Sequence, residues 1–248
     1  MQADWQRLNR ESLPEVALIG HSNCGKSALL NALAGAHART GPAAVSARAG
    51  WTADLSFFRM RAAAHGPRGT SAAGVEADGR DGSRAAEGVL LVDTPGYGFA
   101  VGHTAQLRAW GELVADYLDH SARLQLAVLL VDCTRGLCDA DRRVLHRLNR
   151  AHVPILPVLT KADLLAPDDL AASHAVVTAQ LRQETGARGT KGTGVAPSLV
   201  GTDRARLRAV APALMLSAHF HSGIAHFWKT LQRVVAKGDN GAACRDSS

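Results

Sequence analysis

Residues 20–27, "GHSNCGKS", have the residue types and spacing that can hold a phosphate group. They match G-x-x-x-x-G-K-[ST], and they lie between an apolar run and a helical pattern, which is the context this motif requires. Glycines let backbone N–H groups approach the phosphate, and the amino end of the following helix adds a favourable dipole. The lysine places a charge on the β- and γ-phosphates, and the serine hydroxyl ligates Mg²⁺. We predict nucleotide contacts from Gly20, Asn23, Cys24, Gly25, Lys26, Ser27 and Ala28, with Lys26 also catalytic and Ser27 also a metal ligand.

A second segment, "LLVDTPG" (90–96), supplies a carboxylate where an apolar run ends. Asp93 is predicted to hold the Mg²⁺ shell, and Gly96 to donate its N–H to the γ-phosphate. The alternative is an ordinary strand end, because Thr-Pro-Gly is favourable turn chemistry. Its position after the phosphate loop favours the first interpretation.

A third segment, "LTKAD" (159–163), predicts which base is bound. The Asp163 carboxylate can accept from guanine N1–H and N2–H₂, a donor pair that adenine lacks. The stem of Lys161 would lie over the base, and Thr160 stands where Asn is commoner. Ser217 and Ala218, in "LSAHF", are predicted to contact the guanine oxygen through their backbone.

The elements that must position these residues alternate between apolar runs and amphipathic stretches, which predicts an α/β fold with helices on both faces of a mostly parallel six-stranded sheet. The predicted strands are 15–20, 55–60, 88–94, 124–133, 154–161 and 213–218. The predicted helices are 26–34, 105–119, 139–151, 168–184 and 222–236, with Asp139 and Asp168 as candidate caps.

Two segments, 62–88 and 186–206, are rich in Gly, Ala, Ser and Arg and carry few large apolar residues. We predict surface insertions without stable structure in the free protein; the alternative is that their Arg and Lys residues contact RNA. The domain itself is predicted to span 14–235, between an N-terminal extension (1–13) and a flexible tail (236–248).

Composition favours an anionic partner and a reducing compartment. The formal net charge is +6, and four cysteines without a C-x-x-C pair make a disulfide framework or a zinc site unexpected. No apolar run approaches a membrane span, so no membrane partner is expected. Segment 141–150, "DRRVLHRLNR", predicts a basic amphipathic helix that is either a solvated face or an rRNA contact.

The strings "PEVALIGHSNCGKSALLNAL", "VDTPGYGFA" and "LTKAD" resemble the EngB/YihA/YsxC family of Era-like GTPases over about residues 14–235, apart from the two insertions. The resemblance implies a Ras-like P-loop GTPase fold, GTP/GDP and Mg²⁺ as ligands, and a role in assembling the large ribosomal subunit. It also implies that Thr52, in "AGWT", is a catalytic switch residue and Mg²⁺ ligand, although Trp51 replaces the Arg that is common in the family.

Tyr97 raises a question about catalysis, because many P-loop GTPases carry a water-orienting Gln at this position. Era-like relatives with an Asn in the phosphate loop often bind K⁺ there, which would make Asn23 a catalytic ion ligand. The alternative is that Asn23 only ties down the loop through a local hydrogen bond.

We therefore predict a slow GTPase that acts on precursors of the large ribosomal subunit, with their rRNA, ribosomal proteins and other assembly factors as partners. The alternatives are a GTP-binding placeholder with negligible hydrolysis, or a GTPase linked to cell division. The free protein is expected to be a monomer. Ala/Gly/Arg-rich insertions favour a mitochondrial location, with the cytoplasm as the alternative.

Overall fold

Apolar strands and amphipathic helices alternate along the chain, and the strands assemble into one sheet covered on both faces. The computed structural model describes residues 13–35, 55–61, 75–76, 88–97, 104–185 and 213–242. The strands are β1 (Glu15–Gly20), β2 (Ser56–Arg61), β3 (Val75–Glu76), β4 (Gly88–Asp93), β5 (Leu124–Asp132), β6 (Ile155–Thr160) and β7 (Leu214–Met215). The helices are α1 (Lys26–Leu33), α2 (Thr104–His120), α3 (Asp139–Arg150), α4 (Pro167–Thr185) and α5 (Ile224–Ala242).

The sheet has the order β3-β2-β4-β1-β5-β6-β7. Strands β4, β1, β5, β6 and β7 run parallel to one another, whereas β2 is antiparallel to both β4 and β3. Loops that follow the carboxyl ends of parallel strands meet at one edge of such a sheet, where α/β proteins bind ligands. The three motifs of the sequence follow β1, β4 and β6, so the topology brings them to that edge.

Alternate side chains of the central strands divide the core into two layers. Val16 and Leu18 of β1 lie in the layer that α1 and α5 cover, together with Leu30 and Phe227. Ala17 and Ile19, which alternate with them along β1, face the other layer, with Tyr117 of α2, Leu145 and Leu148 of α3, and Val177 of α4. Near-continuous apolar strands are expected for a sheet that is buried on both faces. The predicted α/β architecture is therefore confirmed.

Three details differ from the sequence predictions. Val75 and Glu76, inside the segment predicted to lack stable structure, form a seventh strand beside Met60 and Arg59 of β2. The prediction was wrong there because two residues carry no detectable periodicity. Asp139 is the first residue of α3 and not its cap; Cys138 precedes the helix and Asp141 accepts its N–H. Asp168 likewise lies within the first turn of α4.

The last strand and the last helix also have bounds that differ from the predicted ones. β7 is shorter than predicted, and Ser217 beyond it pairs in an isolated bridge with Ser222. Helix α5 continues to Ala242, past the predicted domain end. In the described part of the chain, no helix combines the length and apolar character that crossing a bilayer requires.

Candidate nucleotide-binding site

The phosphate loop between β1 and α1 begins and ends with glycines whose backbone leaves no room for another residue or disfavours one. Gly25 has φ +104°, a region that side chains disfavour, and it caps α1. A Cβ at Gly20 would lie 2.5 Å from Cys24 Sγ and 2.6 Å from the Leu130 carbonyl oxygen. Both glycines are therefore required by the geometry, as the motif predicts.

Lys26 points back into this loop. Its side chain is buried, and Nζ donates to the carbonyl oxygens of Gly20 (3.0 Å) and His21 (3.2 Å). A charge that is buried this deeply must be paired or hydrogen-bonded. The loop thus holds a fixed ammonium group in the position that the motif assigns to phosphate binding.

Ser27 and Asp93 meet as the sequence predicts for a metal site. Ser27 Oγ donates to Asp93 Oδ2 at 3.1 Å, and Asp93 Oδ1 is buried without a hydrogen-bond partner among the described residues. Burial raises the pKa of Asp93, and the nearby Lys26 opposes this effect. A partly buried hydroxyl and a buried carboxylate with an unused oxygen fit Mg²⁺, which prefers hard oxygen ligands. The third predicted ligand, Thr52, lies outside the described residues.

The segment after β4 lies directly on the phosphate loop. Ser22 N donates to the Tyr97 carbonyl oxygen at 2.8 Å, and Ser22 Oγ donates to that of Gly96 at 3.1 Å. A Cβ at Gly96 would lie 2.8 Å from both Lys26 Nζ and Ser22 Cα. The predicted γ-phosphate donor and the predicted phosphate-binding lysine are therefore adjacent.

The Tyr97 hydroxyl forms a hydrogen bond with a carboxylate of α3. It donates to Asp141 Oδ1 at 2.5 Å, and its ring packs edge-on against His21 with the centroids 6.1 Å apart. Burial, and then the Asp141 charge, raise the pKa of Tyr97 well above its ordinary value. The side chain that occupies the place of a water-orienting Gln is thus a structural anchor to α3.

The base-recognition motif is joined to the phosphate loop by Thr160. Its Oγ1 donates to the Cys24 carbonyl oxygen at 2.6 Å, so the hydroxyl links the end of β6 to the loop. Lys161 has φ 58° and its Nζ donates to Asp132 Oδ2 at 2.6 Å. Burial alone would raise the pKa of Asp132, but the bonds from Lys161 and Thr134 outweigh it and lower the pKa. This carboxylate is therefore charged and orients the lysine whose stem is predicted to cover the base.

Asp163 is exposed on a single 3₁₀ turn (Ala162–Leu164), where its carboxylate is accessible to a ligand. Ala162 N donates to the Leu216 carbonyl oxygen at 3.3 Å, which brings this turn beside the loop after β7. Ser217 is buried there and accepts from Phe220 N at 3.2 Å, whereas Ala218 is partly exposed. The turn and the loop thus form adjacent walls, as the guanine prediction requires.

The remaining predicted contacts lie in the same loop. Asn23 is exposed with φ 62°, and Ala28 lies in the first turn of α1. Sequence analysis missed Asp132 and Asp141. Asp132 had a detectable signal, because it ends an apolar strand at the ligand edge. Asp141 had none, because a helix carboxylate becomes significant only once Tyr97 is placed beside it.

Comparisons with known proteins agree with this geometry. The family model described as 50S ribosome-binding GTPase matches residues 15–161. The probable GTP-binding protein EngB of Rhodopseudomonas palustris strain BisA53 is 36% identical over 193 residues, covering 74% of this chain and 77% of that protein. The one from Chelativorans sp. strain BNC1 is 38% identical over 192 residues, covering 77% of this chain and 73% of that protein.

Solved structures show the same fold. A crystal structure of a probable GTP-binding protein EngB aligns with a TM-score of 0.55 and 16% identity, over 90% of this chain and 99% of that one. Era from Aquifex aeolicus, solved with GDP and aluminium fluoride, aligns with a TM-score of 0.59 and 16% identity, over 90% of this chain and 56% of that one.

The fold and the three assembled motifs define a P-loop GTPase, which binds GTP and hydrolyses it to GDP. Within that class, the sequence relatives identify one family. The chain belongs to the EngB family of GTP-binding proteins.

Proposed function

We propose that this GTPase is a switch in assembly of the large ribosomal subunit, with precursor particles as its partner. The observation that carries the proposal is the match to a family described as 50S ribosome-binding GTPase, over the residues that build the site. An Era neighbour crystallised with part of 16S ribosomal RNA gives a related fold that contacts rRNA. The net charge of +6 suits such a polyanionic partner.

In the proposed reaction, water attacks the γ-phosphorus of GTP, the bond to the bridging oxygen breaks, and GDP and phosphate leave. Lys26 and the loop N–H groups hold the β- and γ-phosphates in place. Ser27 and Asp93 would hold Mg²⁺, which neutralises phosphate charge when bound. Asp163 and the oriented Lys161 would select guanine.

Slow turnover without an activator is part of the proposal. A hydrogen bond of 2.5 Å to Asp141 already uses the Tyr97 hydroxyl, so Tyr97 does not take over the role of the water-orienting Gln. K⁺ beside Asn23, or a group from the particle, would supply the missing charge stabilisation. The comparisons place the chain among GTPases, and we therefore do not retain a placeholder without hydrolysis.

The cellular location and the oligomeric state of the protein also belong to the proposal. The Ala/Gly/Arg-rich composition of the two insertions supports a mitochondrial ribosome as the target, with a bacterial-type cytoplasmic role as the alternative. A monomer in the free state is also part of the proposal.

Sedimentation tests the proposal directly. Purified protein is mixed with large-subunit precursors in a non-hydrolysable GTP analogue or in GDP, at low and high salt. We expect co-sedimentation in the analogue, weaker association in GDP, and a steep loss with salt because the contacts are to phosphates. Equal occupancy with both nucleotides, or no association with either, contradicts the switch.

A further inference from the structure

Tyr97 is held at both its main chain and its side chain. The main chain is fixed to the phosphate loop, where Ser22 N donates to the Tyr97 carbonyl oxygen at 2.8 Å. The side chain is fixed to α3, where Asp141 Oδ1 accepts from the hydroxyl at 2.5 Å. Tyr97 therefore connects the phosphate loop with α3, which belongs to none of the three motifs.

Asp141 is a rigid acceptor. It is 3% exposed, and its second oxygen, Oδ2, accepts from Cys138 N at 2.8 Å. It also lies in the first turn of α3, where the helix dipole favours a negative charge. A carboxylate fixed in this way holds the group bonded to it at a set position relative to α3, whereas an exposed carboxylate on a mobile side chain does not.

Gly96 is the residue that this anchor positions. Its backbone is so close to the phosphate loop that a Cβ would lie 2.8 Å from Lys26 Nζ. The Gly96 N–H is predicted to donate to the γ-phosphate, whereas Lys26 is predicted to contact both the β- and the γ-phosphate. GDP has no γ-phosphate, so the placement of Gly96 matters for GTP alone.

We propose that Tyr97 and Asp141 are positioning residues that raise the affinity for GTP relative to that for GDP by holding Gly96 beside Lys26. Neither side chain touches the nucleotide in this scheme. The inference rests on the GTPase site of the family and is independent of the ribosomal role, because it concerns nucleotide affinity in the isolated protein.

The Tyr97→Phe variant tests it, since only the hydroxyl is removed and the ring against His21 is kept. Equilibrium titration with fluorescent GDP and a fluorescent non-hydrolysable GTP analogue, in Mg²⁺, gives the two dissociation constants. We expect affinity for the analogue to fall about tenfold, the loss typical of a hydrogen bond to a charged acceptor, with GDP affinity changed less than about twofold.

Tyr117→Phe is the matched control. Tyr117 is another buried tyrosine whose hydroxyl donates to a buried carboxylate, Glu15 Oε2, at 2.9 Å. Glu15 begins β1, at the end opposite the phosphate loop. This variant should lower the melting temperature as much as Tyr97→Phe while leaving the ratio of the two affinities unchanged.

Asp141→Asn completes a double-mutant cycle. The amide oxygen still caps Cys138 N–H, so α3 is kept while the charged acceptor is lost. We expect the ratio of analogue affinity to GDP affinity to fall, as in Tyr97→Phe. The double variant should lose less analogue affinity than the two single variants lose together. An unchanged ratio in Tyr97→Phe, a ratio that rises, or an equal loss for both nucleotides overturns the proposal, whatever the ribosome experiment shows.

Discussion

At the residue scale, we expect base selection to depend on one exposed carboxylate and on the lysine beside it. Asp163 lies on the 3₁₀ turn, and Lys161 is held by Asp132 at 2.6 Å. The carboxylate accepts two N–H groups of guanine in the predicted complex. Any change in its donor or acceptor character should therefore change which base is bound.

Asp163→Asn exchanges an acceptor for a donor that faces the guanine edge. We expect GTP affinity to fall by about 1–3 kcal/mol or more, the cost of an unmatched buried polar group. Affinity for xanthosine triphosphate should rise, because its C2 oxygen accepts where guanine donates. Competition titrations with both nucleotides measure the exchange, and unchanged GTP affinity would exclude Asp163 from the site.

Asn23 carries the prediction about K⁺. Steady-state hydrolysis in equal concentrations of KCl and NaCl should be faster in K⁺, since an ion beside the phosphates offsets developing charge. Asn23→Ala should abolish the difference between the rates in the two salts. Equal rates of the unmodified protein in the two salts reject the ion and leave a local structural role for Asn23.

At the element scale, Thr160 joins β6 to the phosphate loop. The hydroxyl is buried and donates to the carbonyl oxygen of Cys24 at 2.6 Å. Because the two motifs belong to different strand ends, this single bond links the phosphate half of the site to the base half.

Thr160→Val keeps the shape of the side chain and removes the bond. The Cys24 carbonyl oxygen loses a buried donor, so unfolding free energy should fall by about 1–3 kcal/mol. GTP and GDP affinities should weaken together, because both nucleotides use both halves. Denaturant titration and nucleotide binding check this.

Thr178→Val is its control. Thr178 Oγ1 is buried with no partner among the described residues, so its removal should be neutral or stabilising. If the two variants lose equal stability, the Thr160 bond has no special role in the fold.

At the scale of the whole molecule, some arginines of α3 form ion pairs within the described part of the chain and others do not. On α3, Arg142 pairs with Glu184, and Arg147 pairs with Asp119 at 2.8 Å. Arg143 and Arg150 are exposed, and no ion pair within the described ranges includes them. They are therefore available to phosphates of a large anionic partner.

Reversing both charges, Arg143→Glu with Arg150→Glu, should weaken association with ribosomal particles. If each contacts a phosphate, the slope of log affinity against log salt falls by about 2. Lys229→Glu with Arg233→Glu makes the same change in net charge at exposed positions on α5, which packs on the opposite face. Equal weakening by both pairs points to net charge alone and contradicts a contact through α3.

The amino-acid sequence by itself determined the class of site. Local spacing was enough to predict a nucleotide site at residues 20–27, 93–96 and 160–163, because phosphate and guanine contacts need fixed residue types directly after a strand. Apolar runs also predicted the order and kind of the main elements. These are short-range properties that a linear pattern records.

Only the tertiary structure decided how the motifs are connected. The bonds from Tyr97 to Asp141 and from Thr160 to Cys24 join residues 44 and 136 positions apart, and no periodicity links such pairs. The sheet order that brings Asp93 to Ser27, and the pairing that makes a strand of Val75–Glu76, likewise depend on which strands lie side by side. Long-range pairing follows from packing of the whole core, and a local pattern does not contain it.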